Sequence, residues 1–421
     1  MVKTAALNGL SKLAAASFNF AVVVILSRGL GAEARGQCGW YLVVIALVLV
    51  LSEVLAGSAV VFLMQHFAWQ QIRRLHAFWS LAVSLAVSAG CLALGKLHPP
   101  EAAWIVLAAW LNALWVHQQH ILLGLGKNVK FLWLQVIAPA FILTGVWIIV
   151  QMRLSGALAY LWALSAGWGL GVLWGLYWLP LWPVKQRQNY QSWCLVFKSA
   201  VKYGAVNQVA HGFGILNNRL AYYLLPATLL GVYSNALALA EAMLLLPGSL
   251  GQIMYAQIAR MPQSHDKLGV LRQAFWVNAS LMLLGACLVF LIPDALYTWL
   301  FGPDFAGVKT YLMPLGLAMV LYSTYLILSY YHSAQGLFKL NIWPLLGGLL
   351  ASGCAAGLLK VFSPLNAWKL VLVQAGSYAI IAFVSLGILL RRQPGAFEVF
   401  RFPYPAKIWQ FMRQLLRGGR A

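Results

Sequence analysis

Long apolar segments, each holding few charged residues, dominate the pattern of hydrophobic and polar positions along this chain. A helix needs about 20 mostly apolar residues to cross a bilayer. Twelve segments meet that length, near residues 4–29, 38–64, 77–96, 102–123, 131–152, 156–181, 197–225, 228–257, 273–293, 309–334, 341–361 and 367–390. The pattern therefore predicts an all-α polytopic membrane protein with about twelve transmembrane helices.

The connections between the predicted spans leave little room for anything else. The longest, 182–196 and 260–272, are too short for a soluble domain. After the last span, residues 406–417 alternate at helical spacing, with apolar side chains on one face and Lys407 and Arg413 on the other. This predicts a basic amphipathic helix on the inner leaflet, where membrane lipids supply anionic headgroups.

The charge balance changes the interpretation only in part. Lys and Arg outnumber Asp and Glu by 29 to 8, a net charge of +21, in a chain that is 62% hydrophobic. In a soluble protein this excess would indicate a nucleic-acid partner. In a membrane protein the short cytoplasmic loops collect Lys and Arg, so we expect no nucleic-acid partner. The distribution predicts that both termini are cytoplasmic.

Three short patterns recur in the same order in the two halves of the chain. The paired patterns are Asn8/Lys12/Asn19 with Asn207/His211/Asn218, Leu30/Ala32/Gly36 with Leu225/Ala227/Gly231, and His120/Gly124/Lys127 with His332/Gly336/Lys339. Together they indicate a duplication of six helices, an arrangement used by alternating-access transporters.

The duplication and the polar connection between the halves predict the domain organisation. We expect an N-terminal six-helix lobe over 1–182, a cytoplasmic linker over 183–192, a C-terminal six-helix lobe over 193–391 and a basic amphipathic tail over 392–421.

Polar side chains inside the predicted spans are the candidates for substrate contact, because an ionised group at mid-bilayer costs about 2.5–3.5 kcal/mol unless it faces a cavity or a partner. The candidates are Lys12, Arg28, Arg35, Arg219, Asn8, Asn19, Asn207, His211 and Asn218. For Arg28 and Arg35 an anchoring role at the outer headgroups is an equal alternative.

Glu53 and Glu241 are the two acids clearly inside spans. Each could pair with a cation or serve as an ion-coupling site, and the sequence leaves both readings open. His117 and His120 lie near a predicted cytoplasmic end and are interpreted as interfacial histidines. No metal-ligand spacing, paired cysteine pattern or phosphate loop is present, so we expect neither a metal nor a cofactor.

The sixth span carries small residues at every fourth position, Gly167, Gly171 and Gly175. Small residues at this spacing let helices approach closely, and we expect them to pack within the lobe. Prolines inside spans are expected to kink them. These prolines are Pro139, Pro247, Pro314 and Pro344.

Three stretches resemble a known family. They are Leu26-Ser27-Arg28-Gly29-Leu30-Gly31 followed by Gly36 and Tyr41, Leu230-Gly231-Val232-Tyr233-Ser234-Asn235-Ala236 followed by Glu241 and Pro247, and Phe301-Gly302-Pro303-Asp304-Phe305. In this order they are similar to the Wzx-type polysaccharide and O-antigen flippases, which belong to the multidrug/oligosaccharidyl-lipid/polysaccharide exporter superfamily.

The resemblance implies a V-shaped bundle of the MATE and MurJ kind, with two six-helix lobes around a cationic cavity. It implies transport of undecaprenyl-pyrophosphate-linked oligosaccharide from the cytoplasmic to the periplasmic leaflet of the bacterial inner membrane. Arg219 matches the family's seventh-helix arginine, whereas Ala221 stands where many relatives have an acid.

The sign of the candidate charges favours an anionic cargo, because a pyrophosphate binds Lys and Arg. An ion-coupled drug exporter of the same superfamily remains the alternative, and a membrane glycan ligase or polymerase is disfavoured because the outer loops are short. We expect a monomeric transporter that is not an enzyme, in contact with membrane lipids and with a polysaccharide polymerase or other assembly proteins as candidate partners.

Overall fold

A computed structural model describes most of the 421-residue chain. The described residues are 2–55, 60, 63, 64, 66–154, 156–179, 191–261, 266–362, 364–393 and 395–401. Within them the regular elements are α-helices and short 3-10 helices, which confirms the all-α prediction. The predicted helix at 406–417 and most of the predicted linker at 183–192 lie outside the described residues.

The helices follow one another with short connections. The N-terminal helices are α1 (Val2–Ser52), α2 (Trp69–Ala93), α3 (Pro99–Gly124), α4 (Asn128–Gln151), α5 (Ala157–Trp178) and α6 (Trp193–Asn218). The next are α7 (Leu220–Leu224), α8 (Ala227–Ala242), α9 (Leu245–Arg260), α10 (Lys267–Leu291) and α11 (Asp294–Phe301). The last are α12 (Val308–Ala334), α13 (Ile342–Phe362) and α14 (Ala367–Arg392), and 3-10 helices span Glu53–Leu55, Pro303–Phe305, Phe338–Asn341 and Ala396–Phe400.

The predicted spans all have helical counterparts. Among the described residues, nine helical stretches are long and apolar enough to cross a membrane. The longest, Leu10–Leu55, overlaps the first two predicted spans. The fourth and seventh predicted spans correspond to α3 and α6, which are also long enough to cross a bilayer.

A glycine separates the first two spans. Gly31 interrupts α1 with φ 78° and ψ 179°, a conformation that L side chains rarely adopt. Ala32 therefore opens the second helix of the first half, and Ala227 opens α8, the second span of the other half. The recurring Leu-Ala-Gly pattern, which contains these two alanines, thus marks the start of a helix at both places.

The recurring His-Gly-Lys pattern also marks equivalent turns, but the alignment of its residues between the two turns is wrong. The turns that end α3 and α12 contain Gly126 at φ 70° and Gly336 at φ 77°. In each, the amide after the glycine donates a 2.9 Å hydrogen bond to the carbonyl five residues before it. Gly126, not Gly124, is therefore equivalent to Gly336, and the match of His120 with His332 is shifted by two residues, because the positive φ fixes the register.

The small residues of α5 pack within the bundle, as predicted. A Cβ added at Gly167 would meet Ile142 of α4, and one at Gly171 would meet Trp115 of α3 at 2.9 Å. A Cβ at Gly175 would meet the side chain of Gln118 in α3. The stripe therefore allows α5 to lie close to α3 and α4 together.

Pro247 lies in one helical stretch, Ala227–Ala259, whose break at Met243 and Leu244 falls one turn before the proline, as expected of a proline kink. Pro344, in contrast, is the third residue of α13 and does not bend a continuous helix, contrary to the prediction. The first four amides of a helix have no intrahelical carbonyl to bind, so proline loses no hydrogen bond there. Pro139 and Pro314 do lie inside α4 and α12.

The described residues form two compact units. One lies within Ala6–Ile215 and is called the N-terminal unit; the other lies within Leu216–Ala421 together with Met1–Ala5 and is called the C-terminal unit. The division falls inside α6, since Val196 and Ala200 of that helix pack in a core cluster of the N-terminal unit. This differs from the boundary drawn at the 183–192 linker, and the six-helix lobes stay a prediction.

Candidate functional site

A bidentate ion pair joins two of the predicted site residues in the C-terminal unit. The Nη1 atom of Arg219 is 2.8 Å from Oε1 of Glu241, and its Nη2 atom donates to Oε2, also at 2.8 Å. The two side chains are 26% and 27% exposed. Parallel charge-assisted hydrogen bonds of this length are among the strong ones in proteins. Arg219 and Glu241, each predicted as a site residue, are therefore brought together.

A break between α6 and α7 positions the guanidinium of Arg219. Arg219 separates α6 from α7, with φ −110° and ψ 12°, and the predicted continuous span 197–225 is interrupted there. One turn further on, the Tyr222 ring centre lies 5.4 Å from the guanidinium carbon, within the range of a cation–π contact. The ring of Tyr233 meets Tyr222 edge-on at 6.3 Å.

Tyrosines line the ion pair from a second direction. Tyr378 of α14 is fully buried and interacts electrostatically with Arg219 and Glu241. Its ring packs on Tyr322 of α12 at 4.7 Å. The buried hydroxyls of Tyr233 and Tyr378 find no hydrogen-bond partner among the described residues. The ion pair thus has tyrosine side chains beside it, and two of their hydroxyls have no hydrogen-bond partner among the described residues.

Asn217, two residues before the arginine, ties α6 to two other helices. Its side chain is fully buried, and its Oδ1 accepts hydrogen bonds from Ser352 at 2.8 Å and Ser377 at 2.7 Å. The neighbouring Asn218 forms a side-chain hydrogen bond with Tyr322. These contacts fix the backbone on which the arginine stands.

Replacing Asn217 by alanine should lower stability by about 1–3 kcal/mol, because Ser352 and Ser377 each lose a hydrogen bond worth about 0.5–1.5 kcal/mol and keep only a 3.1 Å bond to a backbone carbonyl. Thermal unfolding of the detergent-solubilised protein measures the change. Ser249→Ala is the matched control, since that exposed hydroxyl bonds only within its own helix. Equal unfolding temperatures for the Asn217→Ala and Ser249→Ala variants would show that the network contributes nothing.

An apolar groove of about 360 Å³ lies between α13 and α14. Small and aliphatic side chains form most of its lining, among them Ala351, Ala355, Leu372 and Gly376. Ser377 also lines it. Since Ser377 donates to the asparagine two residues before Arg219, the groove and the ion pair belong to one connected part of the C-terminal unit.

A second polar cluster lies in the N-terminal unit. Oε2 of Glu53 is 3.4 Å from Nε2 of His120. The rings of His76 and His117 stack with centres 4.2 Å apart. His117 is 1% exposed, so its interpretation as an interfacial histidine is wrong. Glu53, the other predicted acid, is therefore paired with a titratable partner, and His211 also interacts with it electrostatically.

The other predicted polar residues of the N-terminal unit lie along α1 and α6. Lys12 is half-buried, whereas Asn19 and Arg28 are exposed. Asn8 and Asn207 lie in the described helices, but their side chains are outside the described set. The proposed role of these residues in substrate contact stays a prediction.

Arg35 is 4% exposed and lies in the N-terminal unit, where it interacts electrostatically with Cys38 and Tyr160. Its guanidinium is packed within the protein, so the alternative of an exposed headgroup anchor does not describe this residue. Arg28 still fits that alternative.

Sequence reasoning missed the tyrosines around the ion pair and the pairing of the histidines. Tyr222, Tyr233, Tyr322 and Tyr378 come from four helices and share no spacing. The signal that could have found Tyr222 is its distance of three residues from Arg219, which places it one helical turn away. Among the described residues, no three His, Cys, Asp or Glu side chains are grouped closely enough to hold a metal ion.

Comparison with known proteins identifies the fold. The structure matches the lipid II flippase MurJ in its inward closed conformation with a TM-score of 0.67 and 13% identity, over 98% of this chain and 91% of that one. It matches an inward-facing multidrug resistance MATE family transporter of the MOP superfamily with a TM-score of 0.64 and 13% identity, over 96% of each chain. A mutant of the Vibrio cholerae MATE transporter VcmN gives 0.63 and 13% identity, over 94% and 97%.

No protein-family model and no curated protein matches the sequence. At these identities the likeness establishes the fold. The chain is thus a multi-pass membrane protein with the fold of MOP-superfamily transporters and flippases.

Proposed function

We propose that this protein is a Wzx-type flippase of the bacterial inner membrane. In this proposal it moves undecaprenyl-pyrophosphate-linked oligosaccharide from the cytoplasmic to the periplasmic leaflet, by alternating access, for synthesis of a surface polysaccharide. The fold, which a lipid II flippase shares, supports this function, and so do the ordered sequence motifs. A polysaccharide polymerase that receives the product is the proposed partner, and the working unit is proposed to be a monomer.

The arrangement around Arg219 is the observation that carries the proposal. A bidentate guanidinium, tyrosine faces and an apolar groove occur in one connected region, and they match the three parts of a lipid-linked glycan. The pyrophosphate oxygens have the geometry to replace the Glu241 carboxylate on the guanidinium fork. The tyrosine faces suit sugar rings, and the groove suits an isoprenoid chain.

Glu241 gives the arginine a defined resting partner. An isolated cation would cost about 2.5–3.5 kcal/mol at mid-bilayer, and the ion pair removes that cost before substrate arrives. Many relatives by resemblance carry an acid two residues after this arginine, where this chain has Ala221. Here the neighbouring helix α8 supplies the carboxylate instead.

The other candidate cations are proposed to contact the anionic substrate at other stages of transport. They are Lys12, Arg28 and Arg35, all in the N-terminal unit.

An ion-coupled exporter of small molecules is the second candidate. The similarity to MATE transporters, at the same identity as that to the flippase, favours it. In that function Glu241 would bind a cationic substrate and Arg219 would compete with it. The two candidates therefore predict opposite signs for the transported molecule.

Reconstituted protein in lipid vesicles tests the two functions. We expect movement of a fluorescent undecaprenyl-pyrophosphate glycan between leaflets, read by quenching from outside, and no export of a lipophilic cationic dye. An undecaprenyl-linked glycan without the pyrophosphate is the matched control and should move much more slowly. Dye export without glycan movement would replace the flippase proposal by the exporter.

A further inference from the structure

We propose that Tyr378 receives the carboxylate of Glu241 when a substrate pyrophosphate takes its place on Arg219. The displaced carboxylate stays ionised and accepts a hydrogen bond from the Tyr378 hydroxyl. Tyr378 is then a positioning residue, because it sets how strongly the internal ion pair competes with the substrate. The displacement by substrate rests on the proposed function, whereas the receiver itself rests on the arrangement of these three side chains.

The ion pair must open before another anion can use the same edge of the guanidinium. Nη1 and Nη2 of Arg219 each lie 2.8 Å from one oxygen of Glu241, so the carboxylate occupies both nitrogens. The Glu241 side chain is 27% exposed, and most of it is therefore shielded from solvent. A shielded carboxylate that loses its cation is costly unless it gains new hydrogen bonds. A donor beside the pair would remove part of that cost.

The hydroxyl of Tyr378 is such a donor. The residue is 0% exposed, and its hydroxyl has no hydrogen-bond partner among the described residues. Its helix, α14, contacts α8, which carries Glu241. The electrostatic interaction of Tyr378 with Glu241 is stronger than that with Arg219. Native proteins keep few buried polar groups without partners, so we infer that this hydroxyl has its partner in a second state of the ion pair.

Tyr378 is held in place, whereas Glu241 can move. The ring of Tyr378 packs on Tyr322 with the ring centres 4.7 Å apart. The preceding residue, Ser377, donates a 2.7 Å hydrogen bond to Asn217. Both contacts fix the tyrosine relative to the backbone that carries the arginine. The glutamate side chain has several rotatable bonds, and the contacts described for its carboxylate are those to the guanidinium, so a change of rotamer releases it.

The other tyrosines beside the ion pair are less suited to receive the carboxylate. Tyr322 already forms a side-chain hydrogen bond with Asn218. Tyr233 is also 0% exposed, with a hydroxyl that has no partner among the described residues. Its electrostatic interaction with Arg219 is stronger than that with Glu241, however. Tyr233 therefore supplies a control that is matched in burial and chemistry.

A double-mutant cycle on thermal unfolding tests the receiver without any substrate, in the full-length protein in detergent. With Arg219 present, Tyr378→Phe should leave the unfolding temperature unchanged or raise it, because a buried hydroxyl without a partner is removed. In Arg219→Ala the carboxylate has lost its cation and turns to the hydroxyl. Tyr378→Phe should lower the unfolding temperature in that background. The same effect of Tyr378→Phe in both backgrounds overturns the proposal.

Tyr233→Phe is the control for this cycle. It removes an equally buried hydroxyl and should have the same effect with and without Arg219. A reversal of sign as large as that of Tyr378→Phe would show that the site does not single out Tyr378, and the assignment would then be wrong.

Binding of undecaprenyl pyrophosphate covers the case in which Arg219→Ala does not fold. Tyr378→Phe should weaken binding by about tenfold, the value of one hydrogen bond to a charged group. In Glu241→Ala there is no carboxylate to receive, so adding Tyr378→Phe should change nothing. An equal loss of affinity in both backgrounds would mean that the hydroxyl contacts the ligand directly, and no loss in either would mean that it is idle. Both results overturn the proposal.

The two measurements separate this inference from the flippase proposal. If the wild type binds no undecaprenyl pyrophosphate, the flippase proposal fails, and the unfolding cycle decides whether Tyr378 receives the carboxylate. If the wild type binds it but the sign of the Tyr378→Phe effect does not reverse, the receiver fails while the flippase proposal stands.

Discussion

Replacing Arg219 by alanine is expected to abolish transport while folded protein remains in the membrane. The substitution removes the guanidinium fork and leaves the Glu241 carboxylate, whose side chain is 27% exposed, where the proposed anionic substrate would bind. Loss of one strong charge-assisted contact is worth about 2–5 kcal/mol, and repulsion from the remaining carboxylate adds to it. Transport of the lipid-linked glycan in vesicles, with protein amount measured in parallel, gives the result.

Three further variants separate charge from geometry and from folding. Arg219→Lys keeps the charge without the planar fork and should retain only a small part of the transport rate. The double variant Arg219→Ala with Glu241→Ala removes the repulsion but should still fail to transport. Arg391→Ala, at an exposed arginine at the end of α14, should transport normally. Wild-type rates in Arg219→Ala would rule out this residue as the anion-binding group.

Replacing Gly167 by leucine is expected to destabilise the protein more than any other single change considered for the helix packing. A Cβ at this position would come within 2.9 Å of the backbone nitrogen of Ile142, so α5 cannot approach α4 without a shift of the backbone. Overpacking typically costs about 1–3 kcal/mol, occasionally more. The unfolding temperature in detergent should fall clearly, and the yield of folded protein with it.

Gly90→Leu supplies the matched control for that substitution. Gly90 lies inside α2 with nothing within 4 Å of an added Cβ. The same substitution there should leave stability unchanged or raise it slightly, because leucine is the better helix former. If Gly90→Leu and Gly167→Leu unfold at the same temperature, close packing of α5 does not explain the glycine stripe.

The elements that depend on local sequence were predictable. Each span could be recognised because about 20 consecutive apolar residues have no other favourable environment than a bilayer. The sequence predicted that the first two spans are separate, and the structure places the break at Gly31, in a conformation that L side chains rarely adopt. The stripe on α5 was predictable because small residues four apart share one helical face.

Other elements were misjudged where the sequence pattern allowed more than one register. The match of His120 with His332 was wrong by two residues. The sequence alone does not show which glycine takes a positive φ, so it did not fix the alignment of the two turns. The predicted seventh span ran through Arg219, because the helix break there is not accompanied by a change in hydropathy along the sequence. Pro344 gave no sign that it stands in the first turn of a helix instead of bending one.

The sequence by itself determined that this chain spans a membrane and that Arg219, Glu53 and Glu241 are charges in need of partners. Only the tertiary structure decided the pairing: Arg219 with Glu241 in the C-terminal unit, and His120 with Glu53 in the N-terminal unit. The physical reason is that hydrophobicity and helix propensity act on neighbouring residues. Which charge meets which depends on how separate helices pack side by side.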